Sequence, residues 1–353
     1  MSSRRTRRSR IAVLAAASAA LTIAALTIAA PVAHAQANSC PGGTSTSPDQ
    51  IRQDACQKAI DLFAFMAPQL GASITGGNTI LGSGGALGGL GHFSVGLRAN
   101  IISGQLPQTD GVSLSIGGRQ ASDFSPKRQV LGLPSAEAAI GIFKGIPLGL
   151  TNVGGIDVLL SAFYVPEVEE DGVSLSTTDG SVKLGYGARL GILQETAIVP
   201  GVSVSILRRD LPTSNLTALV GTADSVRVRD FKASTTSWRL VASKRLLLLG
   251  VSAGAGQDRY DASARASAYI APRPVGGGIP IAVGFDGDVA SAEQAMTRTN
   301  VFGGLSLNFP FVRLAGEIGR VSGGTVAQTF NSFGDRKPDD AYTYGSVGVR
   351  VQF

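Results

Sequence analysis

The sequence predicts an all-β protein: a transmembrane antiparallel β-barrel of 12 or 14 strands, preceded by a short N-terminal helical and glycine-rich segment that forms a plug or a periplasmic segment. Three observations lead to this prediction. The N-terminus has the form of an export signal, long runs of alternating apolar and polar residues begin at His92, and the last such run ends at Phe353. A soluble β-sandwich would show the same alternation, because its apolar faces meet in a core, whereas those of a membrane barrel face lipid.

Residues 1–35 are predicted to be a secretory signal peptide. Five arginines lie within the first ten positions, an uncharged run covers residues 11–30, and Ala33-His34-Ala35 has the form of a cleavage site. The alternative is an uncleaved anchor, because about 20 apolar residues can just span a bilayer. A cleaved signal peptide predicts that the mature chain is exported.

The formal net charge of +6 belongs mostly to this signal. Of the 31 basic residues, five are the arginines of the signal, so 26 basic residues face 25 acidic ones in the rest of the chain. The mature chain is therefore nearly neutral, and no nucleic-acid partner is expected. An apolar fraction of 44% excludes intrinsic disorder.

The two cysteines, Cys40 and Cys56, are predicted to form a structural disulfide. Export places them in an oxidising compartment, where disulfides persist. The alternative is a pair of free thiols. Two cysteines and the single histidine that remains after cleavage, His92, are too few for a usual zinc site, so neither a metal nor a cofactor is expected.

Residues 36–91 are predicted to be a separate N-terminal segment. Ser47-Pro48-Asp49-Gln50 has the features of a helix start, with an N-cap serine, proline at the first position and glutamine for a capping box. Apolar residues at spacings of three and four continue the helix to about Ala67. Pro68 and Gly71 are expected to end it.

Nine glycines lie between Gly71 and Gly91, a density that specifies neither a helix nor a strand. One interpretation is a flexible segment threaded into or across the barrel lumen. The other is a plain linker.

Residues 92–353 are predicted to be the barrel. The run Val182–Ile192 alternates over eleven residues, which matches the length of about 9–11 that a tilted membrane strand needs. At roughly 20 residues for a strand with its connection, this region holds about 13 strands, and bacterial single-chain barrels close with an even number. One interruption is expected at Pro134–Ile140, which has the pattern of a short helix that crosses the lumen or lies on the rim.

The chain ends in a strand whose apolar residues, Val347, Val349, Val351 and Phe353, occupy every second position. This pattern resembles the C-terminal signature of bacterial outer-membrane barrels, which the barrel-assembly machinery reads. The resemblance implies a location in the bacterial outer membrane, with the assembly machinery and outer-membrane lipid as partners.

Charged residues are frequent at positions that face inward by strand parity. Two interpretations are open: a lumen that selects anionic or amphipathic solutes, because arginine binds carboxylates and phosphates in a bidentate way, or a structural ladder of arginines paired with acids. The candidates are Arg98, Asp157, Lys183, Arg189, Arg227, Arg229, Arg239, Arg265, Asp286, Asp288, Arg313, Glu317 and Arg350.

No catalytic residues are predicted. His92 with Ser94 is too small a constellation for a hydrolase, and a histidine on the barrel rim is the simpler interpretation. The sequence therefore predicts a protein that is not an enzyme.

The order of segments, a helix, a glycine-rich stretch and then many strands, resembles the FadL class of hydrophobic-compound transporters. The Asn-Pro-Ala motif of that family's hatch is missing, so no ligand-binding residue can be carried over. The resemblance implies passive passage of fatty acids or other apolar molecules. Together with the inward-facing charged residues, the sequence predicts a channel or transporter for passive passage of small solutes, hydrophobic or anionic, whose identity it leaves open. The alternative is a non-conducting structural or surface-interaction protein of the outer membrane.

Overall fold

A computed structural model of the protein describes residues 40, 47–109, 111–170, 172–274, 282–326 and 328–353. The predicted signal peptide, 1–35, lies outside these residues. The one helix in the described part, α1, spans Ser47–Thr75. The strands of that part are β1 (Phe93–Pro107), β2 (Pro126–Phe143), β3 (Ile146–Leu148), β4 (Thr151–Val153), β5 (Gly155–Tyr164), β6 (Val168–Glu170), β7 (Val173–Thr177), β8 (Val182–Leu193), β9 (Gly201–Asp210), β10 (Ser214–Val220), β11 (Asp224–Leu246), β12 (Leu249–Pro274), β13 (Ala282–Asn308), β14 (Val312–Val321) and β15 (Tyr342–Gln352).

The strands form a closed antiparallel barrel. The circuit of pairings runs β1–β2–β5–β8–β9–β11–β12–β13–β14–β15 and returns to β1, where Val95 lies opposite Val351. β10 and β7 extend the same sheet from the first half of β11. Within the described residues, the sheet has 13 strands: ten form the closed circuit, and β10, β7 and β6 extend it. The predicted antiparallel barrel is confirmed.

The two ends of the barrel differ in their connections. At one end, here called the turn end, residues 247–248 join β11 to β12 and residues 309–311 join β13 to β14. At the other end, the loop end, the connections include residues 108–125 and 322–341. Bacterial barrels have short periplasmic turns and longer extracellular loops, a rule by which we expect the loop end to face the cell exterior.

A band of apolar side chains surrounds the half of the barrel nearer the turn end. Leu97, Leu184 and Leu305 are 65%, 72% and 66% exposed there, while polar residues of the same strands are buried inside. Near the turn end the rings of Phe93 and Phe353 lie 5.1 Å apart. This band is the surface that faces lipid.

The loop-end half of the barrel has the opposite polarity. β12 and β13 have 26 and 27 residues, far more than the roughly 9–11 of a membrane strand, so they continue beyond the membrane. In this half Ala264, Ala268 and Ile270 point inward and are buried in one core with Phe63 of α1. The loop-end half of the barrel is therefore built like a soluble domain, with its apolar core around α1.

Helix α1 lies inside this barrel and contacts β11, β12, β13 and β1. It continues past Ala67, where the sequence predicted its end, and includes both Pro68 and Gly71. The prediction was wrong because the barrel wall surrounds the helix and supports it through these two residues: a Cβ atom at Gly71 would lie 2.4 Å from the ring of Tyr260. Within the described residues, no helix has the length and apolar character that crossing a membrane requires.

The helix predicted at Pro134–Ile140 is also wrong, because these residues belong to β2. Each pairs with a residue of β1, from Pro134 opposite Ala99 to Ile140 opposite Phe93. Small residues there alternate between lipid and lumen, and their high helix propensity is overridden by pairing with neighbouring strands. In this strand Glu137 faces the lumen.

Candidate functional site: the lumen and its plug

The chain from α1 to β1 follows the lumen from the loop end to the turn end. At the loop end, Asp54 of α1 accepts hydrogen bonds from the backbone N–H groups of Ser115 and Gln120 at 2.8 and 2.9 Å. At the turn end, a Cβ atom on Gly89 would lie 2.8 Å from the backbone nitrogen of Lys144. Residues 47–91, here called the plug, therefore run through the barrel from the loop end to the turn end, where Leu90 and Gly91 are exposed.

The loop-end connections close over the helix through buried polar contacts. Lys58 Nζ lies 2.7 Å from the carboxylate of Asp54 and donates to the carbonyl oxygen of Gln120 at 3.1 Å. Asp61 accepts from both the backbone N–H and the side-chain amide of Asn331, at 2.8 and 2.7 Å. Burial raises the pKa of Asp61, and these hydrogen bonds act against the increase.

A second contact joins the two long connections to each other. Asp123 accepts hydrogen bonds from the backbone N–H of Gly334 at 2.8 Å and from the hydroxyl of Ser332 at 2.9 Å. These donors favour the charged carboxylate, so they lower the pKa of Asp123. The connection 322–341 is thus fixed both to α1 and to the connection 108–125.

Arginines of the barrel wall bind the C-terminal end of α1. Arg209 donates to the carbonyl oxygens of Ile74, at 3.2 Å, and Thr75. Arg239 donates to the carbonyl oxygens of Gly76 and Gly77 at 2.9 and 3.0 Å. The last carbonyl groups of a helix carry partial negative charge, which cationic side chains stabilise.

The plug turns away from the helix at Asn78, which two charged wall residues hold. Arg98 donates to the carbonyl oxygen of Asn78 at 2.5 Å, and Glu317 accepts from its backbone N–H at 2.9 Å. Arg98 and Glu317 also form an ion pair of 3.3 Å with each other. Gly77 is needed beside them, because a Cβ atom there would lie 2.2 Å from a carboxylate oxygen of Glu317.

One carboxylate connects three of the wall arginines. Glu137 lies 3.5 Å from Arg98, 3.4 Å from Arg209 and 2.8 Å from Arg350. All four side chains are buried. A single acid thus balances part of the charge of three guanidinium groups.

Further contacts hold the glycine-rich part of the plug nearer the turn end. Ser243 accepts from the backbone N–H of Gly84 at 2.8 Å, and Arg313 donates to the carbonyl oxygen of Gly82 at 3.1 Å. Asp157, which forms an ion pair of 2.7 Å with Arg189, accepts from the backbone N–H of Leu87 at 3.2 Å. The wall side chains therefore recognise this part of the plug mainly through its backbone.

The sequence-predicted lumen candidates fall into two groups. The structure places the first group inside the barrel, with Lys183 and Arg313 partly buried and the rest buried: Arg98, Asp157, Lys183, Arg189, Arg239, Arg313, Glu317 and Arg350. The second group lies on the outer surface of β11, β12 and β13 beyond the membrane: Arg227, Arg229, Arg265, Asp286 and Asp288.

The placement of this second group corrects the expectation that it lines the lumen. A β-bulge at Asp230, whose φ of 51° is positive, shifts the register of β11 against β12 between Arg229 and Lys232. An extra residue in a strand reverses the parity of every residue before it. Arg227 and Asp286 form instead a surface ion pair of 2.7 Å.

The bulge lies in β11 and does not account for Asp286 and Asp288 of β13, where the apolar Phe285 packs against the core around α1 and leaves both acids on the outer face. Arg265 is misplaced for the same reason. It lies on the loop-end half of β12, where inward positions are apolar because they pack on α1, so its own parity faces solvent. The assumption that apolar residues face lipid fails outside the membrane. Arg265 lies 3.6 Å from Asp230 and 3.9 Å from Asp288 on the exposed surface.

Three important lumen residues were not among the candidates. Glu137 was hidden in the predicted helix at 134–140. Arg209 and Asp258 lie in strand runs whose parity could have identified them, since Arg209 follows the alternation of β9 and Asp258 that of β12. Asp258 accepts from Arg239 at 2.6 Å.

The remaining predictions concern the termini of the described chain. Cys40 and Cys56 form a disulfide, as predicted, and Cys56 is buried in the core around α1. Val347, Val349 and Phe353 are exposed on the lipid-facing surface. Their role as an assembly signal stays a prediction. No group of potential metal ligands is found among the described residues.

An apolar cavity lies beside the plug in the loop-end half of the barrel. Its volume is about 230 Å³, and α1 contributes Phe63, Met66 and Leu70 to its lining. The opposite side comprises residues 129–133 of β2 together with apolar residues of β7, β10 and β11. The cavity adjoins the part of β2 that precedes its pairing with β5, which starts at Ser135.

No protein-family model and no curated protein matches this sequence. Solved structures similar to the chain are outer-membrane barrels. Neisserial surface protein A is 13% identical to this chain. The match covers 74% of this chain and 97% of that protein, with a TM-score of 0.28. The toluene transporter TodX of Pseudomonas putida is 12% identical over 74% of this chain and 88% of its own, with a TM-score of 0.31.

The translocator domain of the autotransporter NalP from Neisseria meningitidis is 11% identical over 85% of this chain and 97% of its own, with a TM-score of 0.35. These values restrict the likeness to the barrel as a class. The structure itself has a closed antiparallel circuit, a lipid-facing apolar band and, within its described residues, its longest connections at one end. By its fold, the chain is an outer-membrane β-barrel.

Proposed function

We propose that this protein is a barrel for the passive entry of small hydrophobic solutes, which bind first in the apolar cavity beside α1. The observation that carries the proposal is the cavity of about 230 Å³ between Phe63, Met66 and Leu70 on one side and the wall on the other. A cavity of roughly 150 Å³ lined by apolar side chains already accommodates a benzene molecule. The size therefore suits a molecule of one or two rings or a short hydrocarbon chain.

The position of the cavity supports a role in entry. It lies in the half of the barrel nearer the cell exterior, next to the part of β2 that has not yet begun to pair with β5. A wall is easiest to open where strand pairing is incomplete, because fewer hydrogen bonds have to break. A solute that enters here meets the helix before it meets the buried arginines.

The presence of the plug favours a gated route and argues against an open pore. Wall side chains bind its backbone from Ile74 to Leu87, and these contacts support a lumen that the plug obstructs along this length. Passage across the membrane then requires movement of the glycine-rich part of the plug.

The second candidate is a non-conducting surface protein. It is favoured by the same closure and by the loop-end contacts of Asp61 with Asn331 and of Asp123 with Gly334, which order the connections that face the exterior. In that case the loops carry the function and the cavity has no ligand.

Binding of Prodan, a small hydrophobic naphthalene dye of two rings whose fluorescence rises in apolar surroundings, separates the two candidates. The full chain in lipid nanodiscs is compared with empty nanodiscs, and with a Leu175→Trp variant that fills the cavity from β7. We expect saturable binding to the wild type that weakens at least about tenfold in the variant, equivalent to about 1.4 kcal/mol.

The matched control is Leu219→Trp. Leu219 lies on β10, which pairs with β7, but its side chain is 55% exposed and does not line the cavity. This variant should bind the dye as the wild type does. Absence of saturable binding to the wild type, or equal weakening in both variants, would favour the non-conducting surface protein.

A further inference from the structure

The buried lumen of this barrel carries more positive than negative charge. Among the described residues, six arginines and five acids meet around the plug in the half nearer the turn end. They are Arg98, Arg189, Arg209, Arg239, Arg313 and Arg350, with Glu137, Asp157, Glu195, Asp258 and Glu317. The excess is concentrated at Glu137, which Arg98, Arg209 and Arg350 share.

Carbonyl oxygens of the plug satisfy much of this excess. Arg209 donates to Ile74 and Thr75, Arg239 to Gly76 and Gly77, and Arg98 to Asn78. Farther along, Arg313 donates to Gly82. The oxygen atoms of the plug therefore occupy the places that the oxygen atoms of an anion would take.

Several guanidinium nitrogens in this region still lack an acceptor. Nη1 of Arg189 and the Nε atoms of Arg209 and Arg350 are buried and make no hydrogen bond to any described residue. A buried donor without a partner is costly, and donors bound to a charged group are the most costly to leave empty. The wall thus has more hydrogen-bonding capacity than the plug uses.

A tetrahedral oxyanion matches this unused capacity better than the plug does. Guanidinium groups bind the oxygens of sulfate, phosphate and carboxylate in pairs and with charge assistance, whereas a neutral carbonyl oxygen gives a weaker bond. The plug contributes its backbone to these contacts and, at Gly76 and Gly77, no side chain.

We propose that the lumen arginines form an oxyanion-binding site, which the plug closes with its own carbonyl oxygens and from which an anion displaces the glycine-rich residues 76–91. The site differs from the apolar cavity in place and in ligand chemistry. It gives the barrel a second, anionic class of ligand that acts on the plug itself. The inference does not require the dye-binding cavity to be functional.

Hydrogen exchange of the full wild-type chain in detergent tests this proposal. Exchange of the backbone amides of residues 77–90 is compared in sodium sulfate and sodium chloride at equal ionic strength and pH. Displacement predicts exchange about tenfold faster in sulfate, a change that corresponds to about 1.4 kcal/mol. Sulfate otherwise stabilises folded proteins, so a non-specific effect would have the opposite sign.

Variants assign the response to the arginines. Arg350→Gln removes a guanidinium group from the site, and Arg350→Lys retains the charge without the planar fork; both should reduce the ratio of the two exchange rates toward one. Arg259→Gln changes an exposed arginine of β12 and should leave the ratio as in the wild type. Unchanged or slower exchange of residues 77–90 in sulfate, or a full response in Arg350→Gln, overturns the proposal.

Discussion

The carboxylate of Glu137 lies 2.8 Å from the guanidinium group of Arg350, although β2 and β15 are separated by β1 in the sheet. The pair joins the N-terminal and C-terminal strands across the position where the barrel closes. Because Glu137 also contacts Arg98 and Arg209, it belongs to the arrangement that holds the plug.

Glu137→Gln should destabilise the barrel by about 3–5 kcal/mol, because it leaves buried guanidinium groups without their shared counter-charge. Urea unfolding in detergent, followed by heat-modifiable gel migration, measures the change. Glu169→Gln is the control: Glu169 is exposed, and a surface substitution usually changes stability by less than about 0.5 kcal/mol. Equal stabilities of the two variants would show that the shared carboxylate has no structural role.

Gly84→Val should loosen the glycine-rich part of the plug. A Cβ atom at Gly84 would lie 2.6 Å from the backbone nitrogen of Ser243, and such overpacking costs about 1–3 kcal/mol. We expect the wild type to be almost silent in planar bilayers and the variant to show frequent openings. Leu90→Ala, at an exposed position of the same segment, should remain silent. Silent Gly84→Val channels would mean that the contact at Ser243 does not control the lumen.

The contact of Asp123 with Gly334 and Ser332 should weaken in acid. The pKa of Asp123 is lowered in the folded protein, so its contribution is present above the unfolded value of about 3.9 and is lost as the pH falls through the folded value. Protease cleavage in the connection 322–341 should therefore increase below about pH 4. In Asp123→Asn the same cleavage should already be fast at pH 7 and should lose this pH dependence. A pH response that survives the substitution would assign it to another group.

Reduction of the Cys40–Cys56 disulfide should destabilise the part of α1 at the loop end of the barrel. The bridge closes a loop with a sequence separation of 16, for which about 3 kcal/mol of stabilisation is typical. Amide exchange of residues 50–58 should rise on reduction, while exchange in β14 should stay the same. Equal exchange in the reduced and oxidised protein would show that packing alone fixes this end of the helix.

Local sequence patterns predicted correctly those strands in which apolar residues face lipid and polar residues face the lumen along the whole strand. The alternation of β1 and β15 placed Arg98 and Arg350 toward the lumen, because both strands lie in the membrane band, where apolar residues face lipid. The disulfide followed from export and the count of cysteines.

The errors lie where two rules compete. Arg265 was misplaced because β12 continues beyond the membrane, where apolar residues turn inward to cover α1. Arg227 and Arg229 were misplaced because the bulge at Asp230, a residue with positive φ, reverses which residues of β11 face inward. The alternation in the sequence does not reveal this bulge. Glu137 was missed because its small neighbours have helix propensity, which the pairing of β2 with β1 overrides.

The central claim is that the plug lies in the lumen with its backbone against the wall. It is tested most directly by the pair Thr79 and Ser205, whose hydroxyl oxygens lie 3.0 Å apart. In the full-length variant Thr79→Cys/Ser205→Cys, we predict spontaneous formation of a second disulfide, seen as protection of both new thiols from alkylation before but not after reduction. Leu90→Cys/Ser205→Cys should keep both thiols free. Free thiols in the first variant, in a barrel that retains heat-modifiable migration, would contradict the plugged lumen.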